Sequence, residues 1–225
     1  MVKLNFKFDL EKDLWNIWHS CQKHGDSDDI SSIMPSDIVK MSRGKDEKKA
    51  KKEIYNYYKK IYDSGFIEIY LSAVKKAWKK IEKRYFRQLE KMTGKKIKLK
   101  KIDIYVTLSW RCPAVYDKIM HEGNWFMIPF WYSLHQSLEV IGHELLHFHF
   151  FDNYWESVVK ELGEKKAWEF KEIFTVLLNE KEFNQLWFCP DEGYKDFELR
   201  EYASKEWKKK KDFDGLVSKL IIKIK

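Results

Sequence analysis

The chain reads as an α+β protein, rich in helix with a small sheet. Three observations predict this. Charged residues make up 35 % of 225 residues, with only 9 Gly and 4 Pro, a balance that favours helix. Residues 2–8 and 98–108 alternate apolar and polar side chains as half-buried strands do. Several longer stretches repeat apolar residues at helical spacing. A hydrophobic content of 44 % suffices for one large domain, or for one domain with an appendage.

In chain order, residues 2–8 place Val2, Leu4, Phe6 and Phe8 on one face of a strand. Asp9 is suited to cap a short helix carrying Leu10, Leu14, Trp15, Ile17 and Trp18. From His24 through Pro35 to Asp37 the residues are turn formers, and the carboxylates there read as solvated rather than cation-binding. A helix over 46–62 follows, broken at Asp63-Ser64-Gly65. A second runs from Phe66 to Met92 with Ile67, Tyr70, Leu71, Val74, Trp78, Ile81, Tyr85 and Leu89 in one stripe, and Thr93-Gly94 ends it.

Residues 98–108 form the next strand. Residues 124–132 are strand-like too, and Pro129 assigns them to a sheet edge. A helix over 133–151 and another over 164–179, after Gly163, come next. Residues 196–211 and 216–224 read as helices. The organisation expected is residues 1–97, a strand and basic helices, packed on residues 98–225.

The net charge of +8 is unevenly placed: residues 43–101 hold 21 basic and 7 acidic residues, net +14, and the remainder is net −6. Lys75, Lys76, Lys79, Lys80, Lys83, Arg84 and Arg87 could serve an anionic surface or a nucleic acid. The aromatic residues fall on the apolar stripe instead of among these cations, so a solvated face is the preferred reading. No run approaches the ~18 apolar residues of a membrane span. The N-terminus lacks a signal-peptide apolar region, which makes the cytoplasm the expected location. Cys21, Cys112 and Cys189 are far apart and form no Cys-x-x-Cys pair. Either Cys21 or Cys189 could cap a metal in a latent form, but plain buried thiols are preferred.

Chemistry concentrates in Gly142-His143-Glu144-Leu145-Leu146-His147. Residues four apart lie one above the other on a helix, so His143 and His147 can grip one cation from the same side. Glu144 is turned about 100° away and can stand beside a metal-bound water without being a ligand. Neutral imidazoles suit zinc, and a carboxylate beside zinc-bound water can act as general base. The surrounding residues Leu138, Val140, Ile141, Leu145, Leu146 and Phe148 are apolar. Two histidines on a packed helix side are costly to bury without a partner, and a metal satisfies both.

This segment resembles the active-site helix of the zincin metallopeptidases. The resemblance rests on His143, Glu144 and His147 and extends diffusely over about residues 102–180. It implies a zincin-like core with a small sheet, an edge strand bordering the cleft and an active-site helix, with helices added at both chain ends. It also implies that His143 and His147 are zinc ligands and Glu144 the catalytic glutamate. The metzincin continuation would need Gly at 150 and His at 153, where this chain has Phe150 and Asn153. His149 falls roughly 140° from the ligand stripe.

A catalytic zinc takes three protein ligands, and in gluzincins the third is a glutamate of the next helix. Glu164, Glu169 and Glu172 compete for that role. Glu164 and Glu169 lie among lysines, whereas Glu172 sits on the uncharged stripe Trp168, Thr175, Val176, Asn179 and is preferred. The familiar short motif around the gluzincin ligand is not reproduced, and the gap from His147 is longer. The implied function is a zinc-dependent peptidase hydrolysing peptide bonds by a zinc-bound water activated by Glu144. His121, Tyr154 and Tyr194 are candidate oxyanion donors, and Asp152 or Glu139 could orient a ligand histidine. The alternative is a non-catalytic zinc-containing protein whose region 43–101 binds nucleic acid or a protein partner. Substrate, endo- or exopeptidase action and oligomeric state are not legible.

Overall fold

The structure is a computed structural model that describes residues 2–22, 30–120, 122–193 and 197–225. The loop residues 24–29 therefore lie outside the described residues. The fold is α+β, with one small mixed sheet of four strands. It forms two compact units, residues 3–76 with 101–137, and residues 1–2 with 77–100 and 138–225. Each draws on chain from both sides of residue 97, the division drawn from the sequence.

The first unit contains β1 (Lys3–Lys7), α1 (Leu10–Ser20), a 3-10 turn (Ile30–Ile33), α2 (Ser36–Ser42) and α3 (Glu47–Tyr62). It continues through residues 66–76 of α4 (Phe66–Thr93) to β2 (Lys101–Thr107), β3 (Ala114–Val115), α5 (Asp117–Met120) and β4 (Trp125–Pro129). Asp9 caps α1 by accepting from the Lys12 N–H, and Asp46 caps α3 through Lys49. Helix α2 and strand β3 were not foreseen. Both are short, and neither has a periodic pattern long enough to be read.

The strand order is β1-β2-β4-β3, with β1 and β4 parallel to β2 and β3 antiparallel to β4. Strand β4 is thus internal, and the expectation that Pro129 marks an edge strand is corrected. Phe130 donates its N–H to Thr107 and Met127 donates to Pro113 on the opposite side. By alternation Pro129 lacks its N–H on the Met127 side, where β3 has already ended. The proline therefore breaks no ladder bond.

A buried polar knot ties α1 to the end of β2. Asp13, fully buried, accepts from the Thr107 hydroxyl (2.7 Å), the Leu108 N–H (2.8 Å) and the Tyr62 hydroxyl (2.7 Å). Asn16 adds donors to Thr107 Oγ1 and Arg111 O at 3.1 and 3.0 Å.

The second unit is helical: residues 77–93 of α4, then α6 (Leu134–Asn153) from Leu138 onward, α7 (Trp155–Leu162), α8 (Glu164–Ile173), α9 (Lys181–Trp187), α10 (Phe197–Lys210) and α11 (Phe213–Ile224). Aromatic rings fill it. Trp78, Tyr85, Phe183 and Trp187 form one cluster, and Phe150, Tyr154, Phe170, Phe174 and Phe213 form another. Each such buried ring contributes on the order of 1.5–3 kcal/mol. Gly142 on α6 leaves room for them: a Cβ there would meet Trp187 Cη2 at 2.7 Å, and the Tyr85 hydroxyl donates to Gly142 O at 2.6 Å.

The single helix expected over 164–179 is corrected. It ends at Ile173 and tightens into a 3-10 turn over Phe174–Asn179. The cause is local. The Glu172 carbonyl accepts from the Thr175 hydroxyl and from Arg200, and bonds of this kind favour a tight last turn. Among the described residues no helix is long and apolar enough to cross a membrane.

Candidate metal centre

Helix α6 presents His143 and His147 on one face, as their spacing requires, and α8 brings Glu172 against them from its last turn. His147 Nε2 lies 2.9 Å from His143 Nε2 and 3.1 Å from Glu172 Oε2, and His143 Nε2 lies 3.5 Å from the same oxygen. All three side chains are largely buried, with His147 1 % exposed. These three donor atoms form a triangle.

The fit to a metal can be judged from the triangle alone. A tetrahedral zinc with bonds of about 2.0–2.1 Å separates its ligand atoms by roughly 3.3 Å. The observed edges of 2.9, 3.1 and 3.5 Å bracket that value. Two imidazoles and one carboxylate are also the donor set that zinc favours. The residues fit the ion.

Electrostatics divides the two histidines. Burial pulls His147 down to about 3, so it is neutral, the form a metal requires; its Nδ1 has no hydrogen-bond partner among the described residues. Burial opposes protonation of His143 too, but hydrogen bonds to Asp191 and Glu172 carry it well above the ordinary imidazole value. Burial likewise opposes ionisation of Glu172. The neighbouring imidazoles and Lys171 outweigh it and hold the carboxyl far below the usual range.

Behind the triangle stands a residue the sequence did not disclose. Asp191 Oδ2 lies 2.6 Å from His143 Nδ1, and Oδ1 accepts from Thr175 Oγ1 at 3.0 Å and from Arg200 Nη2 at 2.5 Å. Its backbone is gripped as well: Asn179 Oδ1 accepts from Asp191 N–H at 2.7 Å, and Asn179 Nδ2 donates to Asp191 O at 2.8 Å. Thr175 and Asn179 belong to the uncharged stripe that singled out Glu172. Their hydrogen-bonding groups were a signal, but the partner lies in an irregular stretch without periodicity.

Of the residues expected to orient a histidine, Glu139 is close: Glu139, His143 and Asp191 offer donor atoms within 4.8 Å of one another. Burial, with the Asp191 charge, pushes the Glu139 carboxyl up to about 8. The histidine itself is oriented by Asp191. Asp152 orients neither ring through Nδ1: that of His143 faces Asp191, and that of His147 has no hydrogen-bond partner among the described residues.

Glu144 is buried at 7 % exposure and stands outside the donor triangle, while its charge raises the His143 pKa. Tyr154 is committed elsewhere, its hydroxyl held by Asp214 Oδ1 at 2.8 Å and Thr93 O at 3.1 Å, which removes it as an oxyanion donor. His121 and Tyr194 lie outside the described residues. His149 faces Thr93 Oγ1 at 2.8 Å, and burial pulls it down to about 4. Glu164 is exposed, and Glu169 lines a separate groove with Lys166, Phe170 and Lys223. Cys21 is buried at the end of α1, Cys189 is half-buried, and neither belongs to the donor cluster. On α4, Lys75, Lys76, Lys79 and Lys80 are exposed, and Lys79 pairs with the buried Glu82.

No family model, no curated protein and no solved structure matches the chain.

Proposed function

We propose that this chain is a zinc-dependent peptidase in which His143, His147 and Glu172 hold the metal and Glu144 is the general base. The observation that carries the reading is the convergence of two imidazole Nε2 atoms and one carboxylate oxygen at 2.9–3.5 Å. An intact glutamate next to the first histidine supports it, because a purely structural metal has no need of one. The order of elements supports a zincin-like core: parallel strands with a short antiparallel strand at one edge, then the motif helix, then the helix bearing the third carboxylate.

When bound, zinc polarises the scissile carbonyl and lowers the pKa of water from about 15.7 towards 7. Glu144 accepts the proton of the attacking water and passes it to the departing amine, so it ends the cycle as it began. Asp191 fixes the ring of His143 through Nδ1 and leaves Nε2 facing His147 and Glu172. Burial keeps His147 unprotonated and ready to donate its electron pair.

The test joins metal analysis to peptide hydrolysis for the wild type and Glu144→Gln. One zinc per chain in both, with hydrolysis only in the wild type, is the expected result. Failure of the wild type to take up zinc overturns the reading, as does undiminished turnover in Glu144→Gln. Zinc uptake without hydrolysis, together with salt-sensitive nucleic-acid binding, would instead establish the non-catalytic alternative.

A further inference from the structure

We infer that Lys171 is a built-in counter-cation of the metal centre, holding one oxygen of Glu172 so that the carboxylate offers only the other to the metal. This rests on the peptidase reading and concerns a residue that reading does not use. The Lys171 side chain is 8 % exposed, and its ammonium donates to Glu172 Oε1. Glu172 Oε2 is the oxygen that faces both imidazoles.

The arrangement runs against the ordinary behaviour of lysine. Consecutive helical residues diverge by about 100°, and a lysine usually extends its stem to carry the charge into water. Lys171 instead curls back along α8, with Nζ 5.8 Å from the Trp168 ring centroid. A buried ammonium beside a divalent-cation site repels the ion it adjoins. Its presence therefore needs a compensating role, and the split carboxylate provides one.

Asp191 shows the same division. One oxygen serves His143 and the other serves the buried Arg200. Glu172 and Asp191 are thus each shared between imidazole nitrogen and a buried cation. With Oε1 occupied, Glu172 contributes a single ligand atom, which leaves the fourth position of a tetrahedral ion open.

The sign of one measurement separates this from a packing role. If Lys171 merely braced the helix, its loss would weaken metal binding. As a counter-cation, its loss removes a like charge and strands Glu172, so Lys171→Met should bind zinc at least ~10-fold tighter in chelator competition on the full chain. Loaded with cobalt, Lys171→Met should lose visible absorbance as the freed second oxygen raises the coordination number. Lys171→Arg should match the wild type. Unchanged or weaker metal binding in Lys171→Met, with an unaltered cobalt spectrum, overturns the inference. Should that variant fail to fold, X-ray absorption of the zinc-loaded wild type decides: a carboxylate bound through both oxygens refutes it. Failure of the wild type to bind zinc defeats the peptidase reading and this inference together, whereas zinc-binding wild type with unaltered Lys171→Met defeats this inference alone.

Discussion

Asp191 Oδ2 and His143 Nδ1 are 2.6 Å apart, and this contact fixes which nitrogen of His143 is presented to the other two donors. A carboxylate behind a ligand histidine raises its basicity and sets its ring orientation, worth ~10–100-fold in metal affinity. Asp191→Ala should therefore lower zinc affinity by that range, read by competition with a chromophoric chelator. Asp191→Asn keeps an acceptor for the ring N–H and should fall between the two. Equal affinities in all three proteins would deny Asp191 its positioning part.

On the proposed mechanism, Glu144→Gln keeps the shape of the site and removes its proton acceptor. Zinc content should stay at the wild-type level while turnover falls by about 10²–10⁴-fold, the range of a general base. His143→Ala and His147→Ala should lose metal and activity together. Comparing zinc content with kcat across the three variants distinguishes a base from a ligand.

The proposed third ligand, Glu172, is tested by a pair of substitutions. Glu172→Gln should cost more metal affinity than the ~10–100-fold of an outer contact. Glu169→Gln, on the groove with Lys166 and Lys223, should leave it unchanged. The reverse pattern would move the ligand by one helical turn and leave the role of Glu144 intact.

What the sequence disclosed and what it hid follow one physical rule. His143, Glu144 and His147 are legible because their relation is set by helix period alone. Glu172 is legible because an isolated carboxylate on an otherwise uncharged stripe must be directed at something. Asp191 is not, since it lies beyond α9 and is placed by Arg200, Thr175 and Asn179. The end of α8 was hidden for a related reason: Arg200, 28 residues onward, captures the Glu172 carbonyl. Pro129 was misread because a proline reports a missing N–H and not which neighbour is missing. Strand β3 covers one side of β4 and stops short of that position.

Gly142 tests how tightly α6 is held. Gly→Ala in a helix ordinarily stabilises by up to about 1 kcal/mol. Here the new methyl would sit 2.7–2.8 Å from the Trp187 ring and 3.3 Å from Tyr85, both fully buried and unable to retreat. Gly142→Ala should instead destabilise by about 1–3 kcal/mol, the usual cost of overpacking. Urea unfolding gives the sign directly, and a stabilised variant would show that Trp187 can move. Because residue 142 adjoins His143, zinc affinity should fall as well.

The Asp13 knot predicts a pH dependence of the first unit itself. Burial raises the Asp13 pKa from 3.8 to about 6, against the pull of Thr107, Tyr62 and Leu108. The folded chain then holds a proton that the unfolded chain has released between those two values. Stability attributable to this residue is accordingly full below pH 4, declines as pH rises through 6, and is level above, a fall of about 3 kcal/mol. Asp13→Asn keeps an acceptor for the Leu108 N–H and has no proton to lose. The difference in unfolding free energy between wild type and Asp13→Asn should therefore move in favour of the variant as pH rises from 4 to 7. A difference independent of pH would show that the three donors keep Asp13 ionised in the fold.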